Sequence, residues 1–142
     1  MEEIHRSGKA KLLGVSNVTL AQLEALVEGS EVRPTFVQNR CFARNRWDRQ
    51  VRDFCAARAM TYQGFSLLTA NVHELSVSPM EALVGKRGRS LPEIIFRFSQ
   101  QLGMLPLTGT TSSTHMVQDL TCYEFELGSE EIDLIENIAV VA

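Results

Sequence analysis

Residues 11–29 read KLLGVSNVTLAQLEALVEG, and a change of period inside this stretch decides the fold class. The run KLLGV is apolar without alternation, as in a strand buried on both faces, and it stops on two small polar residues, Ser16 and Asn17. Beyond Thr19 the pattern becomes helical. Leu20, Leu23, Ala25, Leu26 and Val27 fall largely on one face, and Gly29 ends the helix. Strand, polar turn and amphipathic helix make one βα unit.

The unit recurs. RPTFVQNR reads as a second strand opened by Pro34, and WDRQVRDFCAARAM as a helix with Val51, Phe54, Cys55, Arg58 and Ala59 at helical spacing. MTYQGFSLL is a third strand. In the stretch after it, SPMEALVG predicts a short helix with Ser78 as N-cap, Pro79 at the first helical position and Glu81 as the capping-box acid. SLPEIIFRFSQQLG repeats that start signal with Ser90 and Glu93 and stops at Gly103. Met104 to Leu107 form a fourth strand, followed by a Gly-Thr-Thr turn and a helix begun by Thr111, Ser112 or Ser113. FELGSEEIDLIENIAVV closes the chain as a helix with acids in its first turn, where the dipole favours them. Four such units predict an α/β fold with a parallel sheet covered by helices.

Composition fits a globular domain: 142 residues, 44% hydrophobic and 22% charged. A net charge of -3 offers no general attraction to nucleic acid or an anionic membrane. The basic cluster from Arg40 to Arg58 is interleaved with Asp48 and Asp53, as on the solvated face of a helix. No apolar run reaches membrane-spanning length. The opening MEEIHRSGK lacks the apolar stretch of a signal peptide and reads as the tail of an amphipathic helix, so a cytoplasmic location is expected. Cys41, Cys55 and Cys122 are odd in number and widely spaced, which suits reduced thiols and neither disulfides nor a metal site.

In parallel sheets, ligands collect at the carboxyl ends of the strands. Those ends carry Ser16 and Asn17, Gln38 and Asn39, Phe65 and Ser66, and Gly109, Thr110 and Thr111. Amide side chains suit a carboxamide, an aromatic offers a stacking surface, and a Gly-Thr-Thr turn at a helix start offers donors to a phosphate. Each has an ordinary structural role too: Asn17 as a helix cap, Gln38 as a partner for sheet backbone, Phe65 as core. Their recurrence at four consecutive strand ends describes a nucleotide with an amide head.

GKAKLLGVSN, the Gln of FVQNR, YQGFSLL, PLTGTTSSTHMVQDL and FELGSEEIDLIENI stand in the order and spacing of the aldo-keto reductases, which the chain resembles along almost its whole length. The resemblance implies a TIM barrel, of which residues 1–142 correspond to the C-terminal half: four βα units and a C-terminal helix, where a full barrel takes about 250 residues. It makes Ser16, Asn17 and Gln38 ligands of the nicotinamide carboxamide of NADP(H) or NAD(H). Phe65 takes the place of the family's usual Tyr and would stack on the nicotinamide ring. Ser66 and Leu68 would border the pyrophosphate, Gly109, Thr110 and Thr111 the adenosine-side phosphate, and His115, Gln118 and Asp119 the adenine ribose and base. Gly109 replaces a common Lys, and His115 an Arg that pairs with the 2′-phosphate, which weakens the expected preference for NADPH.

The family's catalytic Asp, Tyr, Lys and His belong to the other half, so no catalytic residue is assigned here. Carbonyl reduction is expected only when a catalytic half completes the site. MEEIHRSGKAK matches the family from inside a helix, as if Met1 were an internal methionine of a longer reading frame. A second class of function is a non-catalytic module that binds a nucleotide or a protein partner. Four strands leave two free edges and an inner face, with Val15, Val37 and Leu105 as candidate residues open to water. A homodimer, or association through the sheet edges, is the expected cover.

Overall fold

The computed structural model describes residues 1–140; Val141, the last residue of the final predicted helix, lies outside them. Helix α1 (Glu2–Arg6) leads into β1 (Gly14–Ser16), α2 (Leu20–Gly29), β2 (Phe36–Arg40) and α3 (Arg49–Ala56). Strand β3 (Thr61–Phe65) is followed by α4 (Val72–Leu75), α5 (Ser78–Arg87) and α6 (Leu91–Gln101). Then come β4 (Leu105–Pro106), α7 (Ser113–Thr121) and α8 (Ser129–Glu136). The four strands are parallel and adjacent in chain order, β1-β2-β3-β4.

Local signals start the helices. Thr19 and Gln22 close a capping box on α2: the Gln22 N–H donates to Thr19 Oγ1 at 3.3 Å, and the Thr19 N–H to Gln22 Oε1 at 2.9 Å. Ser90 and Glu93 do the same for α6. Burial works to raise the Glu93 carboxyl's pKa, but the Ser90 and Thr121 hydroxyls, the Ser90 N–H and Arg89 outweigh it and hold the group at about 2. Helix α5 departs from expectation. Val77, not Ser78, is its N-cap, no side chain caps it, and Glu81 closes no box.

Register sets the faces of the sheet. Val15, Val37 and Tyr62 lie in one row, and Ser16, Gln38, Gln63 and Leu105 in the next. Because side chains alternate, these rows point to opposite faces. The first faces the helices: Val37 is 0% exposed and packs with Leu23, Ile94, Ile95 and Phe98 in the core. Val15 packs against the same core, so Val15 and Val37 do not belong to the open face as expected; of the three named residues only Leu105 does. The open face is mainly polar, with Gln38, Gln63, Thr61 and Arg40 at alternating positions. Where β1 meets β2, a Cβ on Gly14 would come within 3.2 Å of Phe36, so this pair depends on the missing side chain.

The basic segment is also corrected. Arg52 is buried, where a solvated helix face was expected: its guanidinium donates to Glu136 Oε1 at 2.7 Å, to the Trp47 carbonyl at 2.8 Å and to the Arg46 carbonyl at 3.2 Å. Trp47, fully buried and edge-on to Phe98, donates from its indole to the Ile135 carbonyl at 2.9 Å. Arg46, Trp47 and Asp48 are three consecutive non-glycine residues in the left-handed region, with φ of 50°, 53° and 59°. Helix α8 thus braces a strained corner between β2 and α3.

Candidate nucleotide site at the strand ends

The carboxyl ends of β1 and β2 place Ser16 directly beside Gln38, and β3 adds Gln63. The Gln38 amide donates from Nε2 to Gln63 Oε1 at 3.1 Å, which fixes the Gln38 side chain and leaves its Oε1 as an acceptor. Gln63 was not among the expected residues, although its spacing of two from Phe65 in TYQGF is the signal that would have found it. Asn17 follows in the left-handed conformation, φ 56°, with its N–H donating to the Gln38 carbonyl at 2.9 Å. Asn17 does not cap α2, since Thr19 holds that role.

Asn39 leaves this group. It is buried on the helix-covered face, accepting the Val18 N–H at 3.0 Å and donating to the Val18 carbonyl and Asp48 Oδ2, both at 2.8 Å. Tyr62 shares that face and donates its hydroxyl to Asp48 Oδ2 at 2.8 Å. Burial, with Cys41 and Asp48 close by, pushes the Tyr62 phenol far above its ordinary pKa, so it stays protonated and away from the open face. Burial likewise pushes the Cys41 thiol up to about 12 and Cys55 to about 11, so both are inert. Among the described residues no cluster of His, Cys, Asp or Glu could hold a metal ion.

Phe65 and Ser66 end β3, and Ser66 turns the chain at φ 56°. Asn71, with no exposed surface, ties this turn to the end of β2. Its Oδ1 accepts the Ala43 N–H at 2.7 Å, and its Nδ2 donates to the Cys41 and Leu67 carbonyls at 2.9 and 2.8 Å. Beyond Ser66 two clefts of about 220 and 400 Å³ share Leu68, Phe96, Thr108 and Gly109 as walls. The first also holds Ser66, and the second Thr110, His115, Gln118 and Asp119. One groove therefore collects seven of the expected residues.

The turn before α7 is ordered by its own hydroxyls. The Ser112 N–H donates to Thr110 Oγ1 at 3.1 Å, His115 Nδ1 lies 3.4 Å from the same oxygen, and Ser112 Oγ caps α7. The Thr108 hydroxyl donates to Asp119 Oδ2 at 2.9 Å, which makes Thr108 a groove residue that the sequence did not single out. Thr111 is exposed at the turn and lines neither cleft. A Cβ added to Gly109 would meet nothing within 4 Å, so the approach to the turn is open. Hydroxyl and N–H donors at one end, with amides and an aromatic at the other, fit the phosphates and amide head of a nicotinamide nucleotide.

No helix of the described residues is long and apolar enough to cross a membrane. The family model described as the aldo/keto reductase family matches residues 1–140. Glyoxal reductase of Bacillus subtilis (strain 168) is 24% identical over 138 residues, covering 97% of this chain and 49% of that protein. D-galacturonate reductase of Fragaria ananassa is 28% identical over 145 residues, covering 97% and 45%. Among solved structures, an aldo-keto reductase from a Medee basin deep-sea metagenome library superposes with a TM-score of 0.85 at 21% identity, covering 96% of this chain and 52% of that one. An aldo/keto reductase from Brucella melitensis gives 0.82 at 21%, covering 96% and 51%. The chain spans about half the length of the curated relatives it matches, and its four parallel βα units correspond to half of a TIM barrel.

Proposed function

Since this chain belongs to the aldo/keto reductase family, we propose that it forms the nicotinamide-nucleotide-binding part of an oxidoreductase that reduces a small carbonyl compound with NADP(H) or NAD(H). The observation that carries this reading is the register of Ser16 beside Gln38, with Phe65 on the same open face and Ser66 opening into the groove under α7. When bound, the cofactor supplies hydride. Ser16, Asn17 and the free Oε1 of Gln38 would orient the carboxamide, and the Phe65 ring would support one face of the nicotinamide. Ser66 and Leu68 would flank the pyrophosphate, Gly109, Thr110 and Thr111 the adenosine-side phosphate, and His115, Gln118 and Asp119 the ribose and base. Neither tyrosine is placed to protonate a carbonyl over Phe65: Tyr62 faces the helices, and Tyr123 lies beyond α7. The chain is accordingly expected to bind cofactor without turning over. Three unpaired thiols support a reducing compartment such as the cytosol.

Titration of the purified chain with NADPH and NADH, followed by nicotinamide fluorescence, tests this. Saturable binding and no oxidation on adding a small aldehyde are expected; no binding of either nucleotide overturns the reading. Changing Thr110 and Thr111 to Val should cost roughly 0.5–1.5 kcal/mol of binding per hydroxyl, and unchanged affinity would remove the phosphate role. His115→Arg should raise affinity for NADPH alone, through bidentate pairing with the 2′-phosphate. Equal gains for NADH would show that His115 faces elsewhere.

Association is the second part of the proposal. Among the described residues, strands β1 and β4 each pair on one side only, and α7 exposes Met116, Val117 and Leu120 by 50%, 64% and 68%. The isolated chain is expected to sediment as a homodimer or larger. A monomer at micromolar concentration with one cooperative unfolding transition would refute this.

A further inference from the structure

We propose that Arg40 and Arg44 form an anion clamp that receives the carboxylate of an acidic carbonyl substrate, an inference that rests on the nicotinamide reading of the neighbouring Phe65. Arg40 is the last residue of β2 and stands on the open face two positions beyond Gln38. Its register partner on β3 is Phe65. Neighbouring strands lie roughly 4.8 Å apart, so the Arg40 stem starts beside the Phe65 side chain. The guanidinium then reaches over Phe42, with its carbon 5.5 Å from the ring centroid, and that of Arg44 lies 4.5 Å from the same centroid. One half-buried ring carries two cations.

Nothing among the described residues neutralises them. The carboxylates within ion-pair distance of a base serve Arg6, Arg49, Arg52, Lys86, Arg87, Arg89 and Arg97, and none serves Arg40 or Arg44. Asp48, the acid nearest to Arg44 in sequence, lines a cleft with it, but its Oδ2 is taken by Asn39 and Tyr62 and it forms no ion pair with Arg44. Two like charges fixed on one ring and left without a counter-ion attract an anion, and the planar guanidinium fork matches a carboxylate. Arg40 stands one strand from the residue read as the nicotinamide support. A carboxylate held there would therefore lie only a few bonds from the reacting carbonyl. That separation describes a 2-oxo acid or a short aldehyde acid.

The test is calorimetric titration of the chain with pyruvate, both cofactor-free and saturated with NADPH. Saturable binding is expected, falling about tenfold in Arg40→Gln and becoming undetectable in the Arg40→Gln, Arg44→Gln double variant. Arg40→Lys keeps the charge but loses the fork and should fall between parent and Gln. Binding should weaken as salt is raised, whereas uncharged acetone should be indifferent to all three substitutions. Absence of saturable pyruvate binding, or equal affinity in parent and Gln variants of unchanged melting temperature, overturns the clamp. If pyruvate binding depends on Arg40 while neither nucleotide binds, the clamp stands and the cofactor reading falls. The reverse result removes the clamp alone.

Discussion

Arg52→Ala is expected to destabilise the chain by about 3–5 kcal/mol, the cost of leaving one partner of a buried ion pair without the other. Glu136 would remain as a carboxylate on a side chain only 11% exposed. The Trp47 and Arg46 carbonyls would lose their donor as well. Urea unfolding monitored by Trp47 fluorescence measures the loss. The Arg52→Met, Glu136→Leu double variant should recover most of it, because an apolar pair of similar volume carries no desolvation debt. A single variant within about 1 kcal/mol of the parent would show that water reaches the pair freely.

Asn71→Leu carries a similar cost for a different reason. The replacement keeps the branching of the side chain, adds bulk where contacts are 2.7–2.9 Å, and strips partners from one N–H and two carbonyls, all around a residue with no exposure. At about 1–3 kcal/mol for each buried polar group left unsatisfied, a loss of at least about 3 kcal/mol is expected. Asn71 also locks the segment after β2 to the turn after β3, between the candidate carboxamide and pyrophosphate contacts. NADPH affinity should therefore fall more in Asn71→Leu than in a core variant of equal stability loss such as Ile95→Ala. Equal affinities in the two would mean that the junction is scaffold only.

What the sequence made legible depended on range. The strand-helix alternation and the Ser90–Glu93 box are local, and both are found. The phase of a strand is not local. Gln38 and Asn39 are adjacent amides, but alternation sends one to the open face and the other into contact with the Val18 backbone and Asp48. The same uncertainty of phase put Val37 on the wrong side, since FVQNR carries an apolar and a polar residue in each of its two registers. Arg52 was hidden by composition: one buried cation in a basic stretch cannot be told from its solvated neighbours until its acid, 84 residues later, is in place. Ser78 looked like a cap because it precedes a proline, but Ser78 is itself the first helical residue and its hydroxyl caps nothing.

The corner at Arg46, Trp47 and Asp48 has a consequence in time. Each non-glycine residue in the left-handed region costs of order 1–3 kcal/mol unless its surroundings impose the conformation. Two of the contacts that impose it here come from Ile135 and Glu136, 88 and 84 positions along the chain. Closing so long a loop delays the contact relative to the nearby strand pairing. On the ribosome, β1 and β2 can pair while this corner still samples ordinary right-handed turns. It acquires its final shape only after α8 has emerged and docked, so a helix made 84 to 88 positions later sets the geometry of a bend made long before it.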